Sequence, residues 1–223
     1  MMGSPVFRRA RCLLVLLTLL APAGRGVPAA GASAAAPRCF AATGRCIDGP
    51  FLAYWEAHGG LARHGLPLSD EFTQLLADGR PYTVQYFERS RFELHPEHAA
   101  PDDVQLGQLG RALHPADPPD GPPRGPGVQD GFYFSETGHW VGGRFFDYWY
   151  TQGGLAQFGY PLTAALVERL DDGNAYTVQY FERARLEYHP ENLSPNDLLL
   201  GQFGRRVYAV CGEAVARCEP GGR

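Results

Sequence analysis

The octapeptide YTVQYFER occurs twice in this chain, at residues 82–89 and again, letter for letter, at 176–183. Both copies run on to HPE at 95–97 and 189–191, and both follow a GGLA segment and a Gly-x-Pro-Leu segment. Laying residues 39–114 over 133–208 needs no gap, at a constant offset of 94 residues, and 37 of the 76 positions are identical. Such a chain folds as two like units of about 78 residues rather than as one large domain. A unit that small buries a marginal core on its own, so packing between the copies or a covalent staple is expected. The resulting plan is a leader at 1–36, repeat 1 at 37–114, a linker at 115–131, repeat 2 at 132–210 and a cysteine-containing tail at 211–223.

The leader holds no Asp or Glu; Arg8, Arg9 and Arg11 precede the apolar run 12–21, and an A-x-A-like site follows at 30–32. This is the layout of a secretory signal peptide, with an apolar run too short for a comfortable membrane span. Cys12 opens that run instead of following it, which argues against a lipoprotein anchor. The expected product is secreted or envelope-associated, without membrane insertion after cleavage. Because the leader takes four Arg and no acid, the formal net charge of −4 becomes about −8 for the remainder. Nucleic acid and anionic membrane surfaces are poor partners for such a chain. Lys is absent, which excludes a Lys nucleophile or Schiff base.

Beyond the leader lie Cys39, Cys46, Cys211 and Cys218, two C-x6-C pairs. An even count in an exported protein reads as disulfides, with three connectivities open. Cys39 and Cys46 align with Tyr133 and Trp140, which face each other across a hairpin expected from YFSETGHW. A cross-strand disulfide can replace a cross-strand aromatic pair, so the local pairs Cys39–Cys46 and Cys211–Cys218 are favoured over end-to-end closure.

Each copy should be α+β: a hairpin, a short helix and a small antiparallel β-meander. Asp48 is the expected cap before Pro50, with Phe51 and Trp55 one turn apart on the buried face, and Phe145 and Trp149 repeat them. Gly59-Gly60 and Gly153-Gly154 stop the helix. LARHGLPL and LAQFGYPL read as a compact turn. Three strands are expected, at 72–77, 82–88 and 91–95 and at their equivalents, with turns at Asp78-Gly79 and Asp172-Gly173. The segments after HPE, including Ser194-Pro195, read as a helix start of a turn or two. The linker, with Pro at six of seventeen positions, should be extended and semi-rigid.

The run from FYFSETGHW through LAQFGYPL to QYFERARLEYHPE is similar to tandem repeats of secreted bacterial envelope proteins, often found beside hydrolase domains. It also resembles, more distantly, the LGFP repeat. The matching positions are Trp55, Gly59, Gly60, Gly65 and Pro67, then Trp149, Gly153, Gly154, Gly159 and Pro161. This chain departs from that pattern with HGLP and FGYP, and with Arg91 and Arg185 where Gly-x-Ile is common. The resemblance implies an envelope-associated, non-catalytic role in holding cell-wall polysaccharide, and it brings no catalytic residue and no cofactor.

The residues themselves offer little chemistry. Glu88, Glu93, Glu182 and Glu187 flank a tight turn and could be imagined as a glycosidase acid and base. A ladder of ion pairs between these Glu and Arg89, Arg91, Arg183 and Arg185 across the hairpin is the expected role, with Glu88, Arg91, Glu182 and Arg185 as its main members. Two intact catalytic pairs in adjacent small units would be unusual, whereas a structural hairpin must be copied whole. His95 and His189 are the histidines shared by the copies, and no H-x-x-x-H or C-x-x-C spacing accompanies them, so no metal site is assigned. His58, His64, His98, His114 and His139 are not repeated. No G-x-S-x-G, phosphate-cradling loop or dinucleotide fingerprint occurs, and DDGN at 171–174 is too short for a calcium loop.

Aromatic residues are the remaining signal. Trp55, Trp149, Phe87 and Phe181 are expected core, while Tyr148, Tyr150, Tyr160 and Trp140 are the ligand-binding candidates. Tyr150 and Tyr160 replace Glu56 and Leu66 of the first copy, and an amphipathic ring can offer a sugar both a face and a hydroxyl. The expectation is therefore an exported, non-catalytic repeat protein binding envelope polysaccharide or a surface protein. The alternatives are an assembly protein and a small hydrolase with its site between the copies.

Overall fold

Two hairpins open the two halves of the fold, and each is placed by a buried Gln from the duplicated octapeptide. In the computed structural model, which describes residues 36–121 and 130–214, the first hairpin is β1 (Arg38–Phe40) and β2 (Arg45–Ile47). Next come helices α1 (Gly49–Ala57) and α2 (Gly60–His64), then strands β3 (Phe72–Leu75), β4 (Pro81–Tyr86), β5 (Arg91–Leu94) and β6 (Val104–Leu106), and helix α3 (Leu109–Leu113). The second half repeats the order: β7 (Gly131–Phe134), β8 (His139–Gly142), α4 (Gly143–Thr151), α5 (Gly154–Phe158), β9 (Leu166–Arg169), β10 (Ala175–Tyr180), β11 (Arg185–Tyr188), β12 (Leu198–Leu200) and α6 (Phe203–Cys211). The protein is α+β, with two two-stranded and two four-stranded antiparallel sheets among the described residues.

The alternation of β4 carries two cores at once. Tyr82, Val84 and Tyr86 point to a central core that also holds Tyr176, Val178 and Tyr180 of the second copy with Leu109, Phe203 and Val207. Phe87, just past the strand, instead joins an outer core with Ile47, Phe51, Trp55 and Phe92; Phe181 does the same beside Phe145 and Trp149. Both sheet faces are thus covered, which is why the strand ends buried on successive residues. On the outer face Gln85 Nε2 donates to the carbonyls of Cys46 and Ser69, and Gln179 Nε2 to those of Trp140 and Thr163. These bonds pin hairpin, turn and sheet together in each copy.

Several expectations change. Each meander has four strands, not three: β6 and β12 add to the free edges of β5 and β11, in segments read as helix starts. At three residues between a Pro and a Gly they are too short to show alternation. Ser194-Pro195 lies in the turn before β12, and the helix begins only at Phe203. The segments LARH and LAQF are helical, in α2 and α5, rather than turns. Asp48 occupies the position before α1 but makes no side-chain capping bond.

The linker is not a free spacer at its start. Asp117 N–H donates to Leu162 O, and the Asp120 and Gly121 N–H groups donate to Gly138 O. Residues 122–129 lie outside the described part, as do the leader residues 1–35. Cys39 and Cys46 stand directly opposite in β1–β2 and are disulfide-bonded, as Tyr133 and Trp140 stand opposite in β7–β8. Cys211 is disulfide-bonded at the end of α6, and its expected partner Cys218 lies outside the described residues. None of the helices among the described residues is long and apolar enough to cross a membrane.

Candidate functional site

Helices α3 and α6 cross over, each docking on the octapeptide turn of the other copy. The Gly110 and Arg111 N–H groups of α3 donate to Glu182 O, and Arg205 N–H of α6 donates to Glu88 O. Arg111 Nη2 pairs with Glu182 Oε1, and Arg205 Nη2 with Glu88 Oε1 at 2.6 Å. Each contact is the other shifted by 94 residues with the copies exchanged, the pattern of an approximate two-fold axis. Gly is required at the crossing: a Cβ on Gly110 would sit 1.8 Å from Phe181 O, and one on Gly204 1.8 Å from Phe87 O.

This geometry keeps the Arg91–Glu93, Arg185–Glu187 and Arg183–Glu182 members of the expected ladder and corrects the place of Glu88 and Glu182, which reach across to the other copy. Glu88 does not meet Arg91, nor Glu182 Arg185. Each Glu folds back over the Gly-x-Pro turn, its Oε2 accepting from Leu66 N–H or Tyr160 N–H at 3.2 Å, and offers its other oxygen to the opposite copy. Gly65 and Gly159 sit beneath at φ 81° and 75°, where a Cβ would meet the Glu side chain at 2.6 Å or closer. Arg91 and Arg185 instead pair with Glu93 and Glu187 two residues along the same strand. Burial alone would lower both guanidinium groups, but the neighbouring carboxylates outweigh it and raise them. Arg185 also reaches Tyr180 Oη and Glu168, and His189 bridges Glu187 at 3.3 Å and Glu191 at 2.9 Å. The chain Arg91–Glu93–His95–Glu97 repeats that line in the first copy.

Beside the second copy's network an open cleft of about 620 Å³ is floored by Tyr176, Arg185, Glu187 and His189. Its walls are Asp171, Asp172, Asn196, Gln202, Arg205 and Arg206, with Tyr148 from α4 and Ala62 and Arg89 from the first copy. Burial raises the Tyr148 phenol, partly offset by the charges of Arg63 and Arg89. Arg206 stands where the first copy has Ala112, so the cleft carries a cation that repetition does not explain. The Glu and His that line it come from the second copy alone.

Of the four aromatic candidates, Tyr148 lines this cleft and the other three lie elsewhere. Tyr160 is half-buried with its ring edge toward Phe134, and Trp140 lies against Gly131 and Gly142 of its own hairpin. Tyr150 is 71 % exposed on α4, near-parallel to Phe146 at 5.9 Å, which in turn faces Phe132 at 6.3 Å. At the equivalent positions the first copy has Leu52, which is buried, and an Arg38–Glu56 ion pair at 3.3 Å. One copy therefore shows an exposed aromatic ridge where the other shows charge.

The unrepeated histidines have structural places that the sequence did not reveal. His139 is buried against Asp120 at 2.8 Å, His114 stacks on Tyr180, and His64 is held between Ser90 Oγ and His58 O at 3.1 Å each. Burial, helped by the charge of Arg63, pushes His64 down to about 3. Among the described residues one group has metal-ligating atoms close together: His95, Glu97 and His98, all within 4.8 Å of one another. No protein-family model, curated protein or solved structure matches this chain.

Proposed function

We propose that this protein is an exported, non-catalytic binding module that holds an envelope polysaccharide in the cleft beside the second copy. The cleft carries the reading: its volume lies in the range of small-ligand sites, and it combines two Tyr rings with exposed guanidinium, carboxylate and amide groups. That mixture suits a hydroxyl-rich ligand, with rings for sugar faces and paired donors and acceptors for hydroxyls. The resemblance to LGFP-type repeats and the signal-peptide layout support the same assignment. The Glu187–Arg185 pair in the floor is repeated as Glu93–Arg91, which favours a structural role over an acid–base one.

Pull-down on isolated cell-wall polysaccharide, with a glycan array, tests this directly. Arg206→Ala should weaken binding at unchanged melting temperature, and failure of the unaltered protein to bind any envelope fraction removes the reading. A second reading, protein–protein contact, is favoured by the Phe132–Phe146–Tyr150 ridge. It predicts association in sedimentation that Tyr150→Glu abolishes while glycan binding is absent.

A further inference from the structure

From the turn that follows β5, we infer that His95, Glu97 and His98 form a zinc-type divalent cation site peculiar to the first copy. The turn itself brings the ligands together. His98 N–H donates to His95 O at 3.0 Å, which folds residues 95–98 back, and the two imidazole centroids lie 6.1 Å apart. His95 Nδ1 already lies 3.0 Å from Glu97 Oε1, and one nitrogen of His98 completes a set whose atoms fall within 4.8 Å. Two imidazoles and a carboxylate without a thiolate suit zinc and its first-row neighbours, with water in the remaining position.

His95 is fixed in orientation before any ion arrives. Its ring packs on Tyr82 with centroids 4.5 Å apart, and Nε2 faces Glu93 Oε2 at 3.6 Å, while Glu93 is held by Arg91. The Nε2–Glu93 separation is longer than a hydrogen bond, so Glu93 acts on the ring by charge, while Nδ1–H donates to the Glu97 carboxylate and gives up its proton when a metal binds. On binding, Nδ1 and the Glu97 carboxylate exchange their mutual hydrogen bond for the ion. The second copy supplies an internal control. His189, Glu191, Tyr176 and Glu187 repeat the arrangement, and Asn192 N–H donates to His189 O at 3.0 Å in the same turn, but Asn192 replaces the third ligand.

Titration calorimetry with Zn2+ on untagged, chelator-treated protein is the test. One equivalent should bind, His98→Asn should weaken it by at least about tenfold, and Asn192→His should add a second equivalent. Both substitutions lie in exposed turns, and circular dichroism checks that the fold is intact. Wild-type binding no tighter than that of His98→Asn, or an unchanged stoichiometry in Asn192→His, would overturn the assignment.

Discussion

Arg205 of the second copy closes on Glu88 of the first at 2.6 Å, and the Arg111–Glu182 pair makes the same contact in the opposite direction. The two bridges join the copies at the turns that end the duplicated octapeptides. Both Arg side chains are about half exposed, so solvent screens each pair, and removing one guanidinium should cost only about 1 kcal/mol. Arg111→Ala with Arg205→Ala is therefore expected to lower the urea midpoint modestly. Glu88→Gln with Glu182→Gln should lower it as well, since the Glu oxygens also accept from Leu66 and Tyr160 N–H. An unchanged midpoint in both double variants would show that the bridges contribute nothing.

A larger loss is expected at the helix crossing. Gly110→Ala drives a methyl into a backbone carbonyl, which cannot rotate away as a side chain can. The copies must separate or the helix must shift, at a cost of about 3 kcal/mol. Denaturant unfolding of Gly110→Ala and Gly204→Ala should show losses of similar size in each, because the two sites are equivalent.

His64 gives the protein an acid-sensitive element. Its folded value of about 3 lies below the ordinary 6.5, so between those values the unfolded chain binds the proton and the folded chain does not. Its contribution is complete above pH 6.5 and falls as pH drops toward 3, with a slope approaching ~1.4 kcal/mol per pH unit. The second copy fills the equivalent pair of positions, His64 and Ser90, with Phe158 and Ala184, both buried. His64→Phe with Ser90→Ala should keep the fold and flatten stability against pH over that window, as followed by thermal unfolding. An equally steep acid limb in the double variant would assign it to other groups.

The Cys39–Cys46 bond closes a short loop of seven-residue separation. Chain entropy gives it at most about 2.5 kcal/mol. Cys39→Ser with Cys46→Ser should lose part of that in thermal unfolding. Cys39→Tyr with Cys46→Trp, which installs the second copy's facing pair, should recover stability relative to the serine variant.

Much of the fold was legible because its local signals agree. The hairpins were legible from the facing pairs at 39/46 and 133/140, β4 and β10 from alternation, and the β3–β4 and β9–β10 turns from Asp-Gly. The fourth strands were hidden because three residues carry no period, and their pairing depends on the edges of β5 and β11. Likewise the partners of Glu88 and Glu182 lie 117 and 71 residues away, on the helix of the other copy. The octapeptide announces a charged turn, and only packing between the copies decides what the charge meets.

The cleft was less legible than the scaffold. Tyr148 could be singled out as an amphipathic aromatic, but Arg205, Arg206, Asn196 and Gln202 belong to segments read as a brief helix start. Differences between the copies were the better guide: Glu56 against Tyr150 marks the exposed ridge, Ala112 against Arg206 the cleft, and Asn192 against His98 the ligand cluster. Each lies in a place where the scaffold tolerates substitution because its own bonds are made by backbone or by the invariant side chains.

The crossing of α3 and α6 also sets an order of events during manufacture. The first sheet receives Phe203, Val207 and the Glu88 bridge from a helix synthesised about a hundred residues after it, so it leaves the ribosome with one flank uncovered. Until α6 is in place, the first copy's share of the central core and the carboxylate of Glu88 both lack their partners, so neither copy is finished without the other.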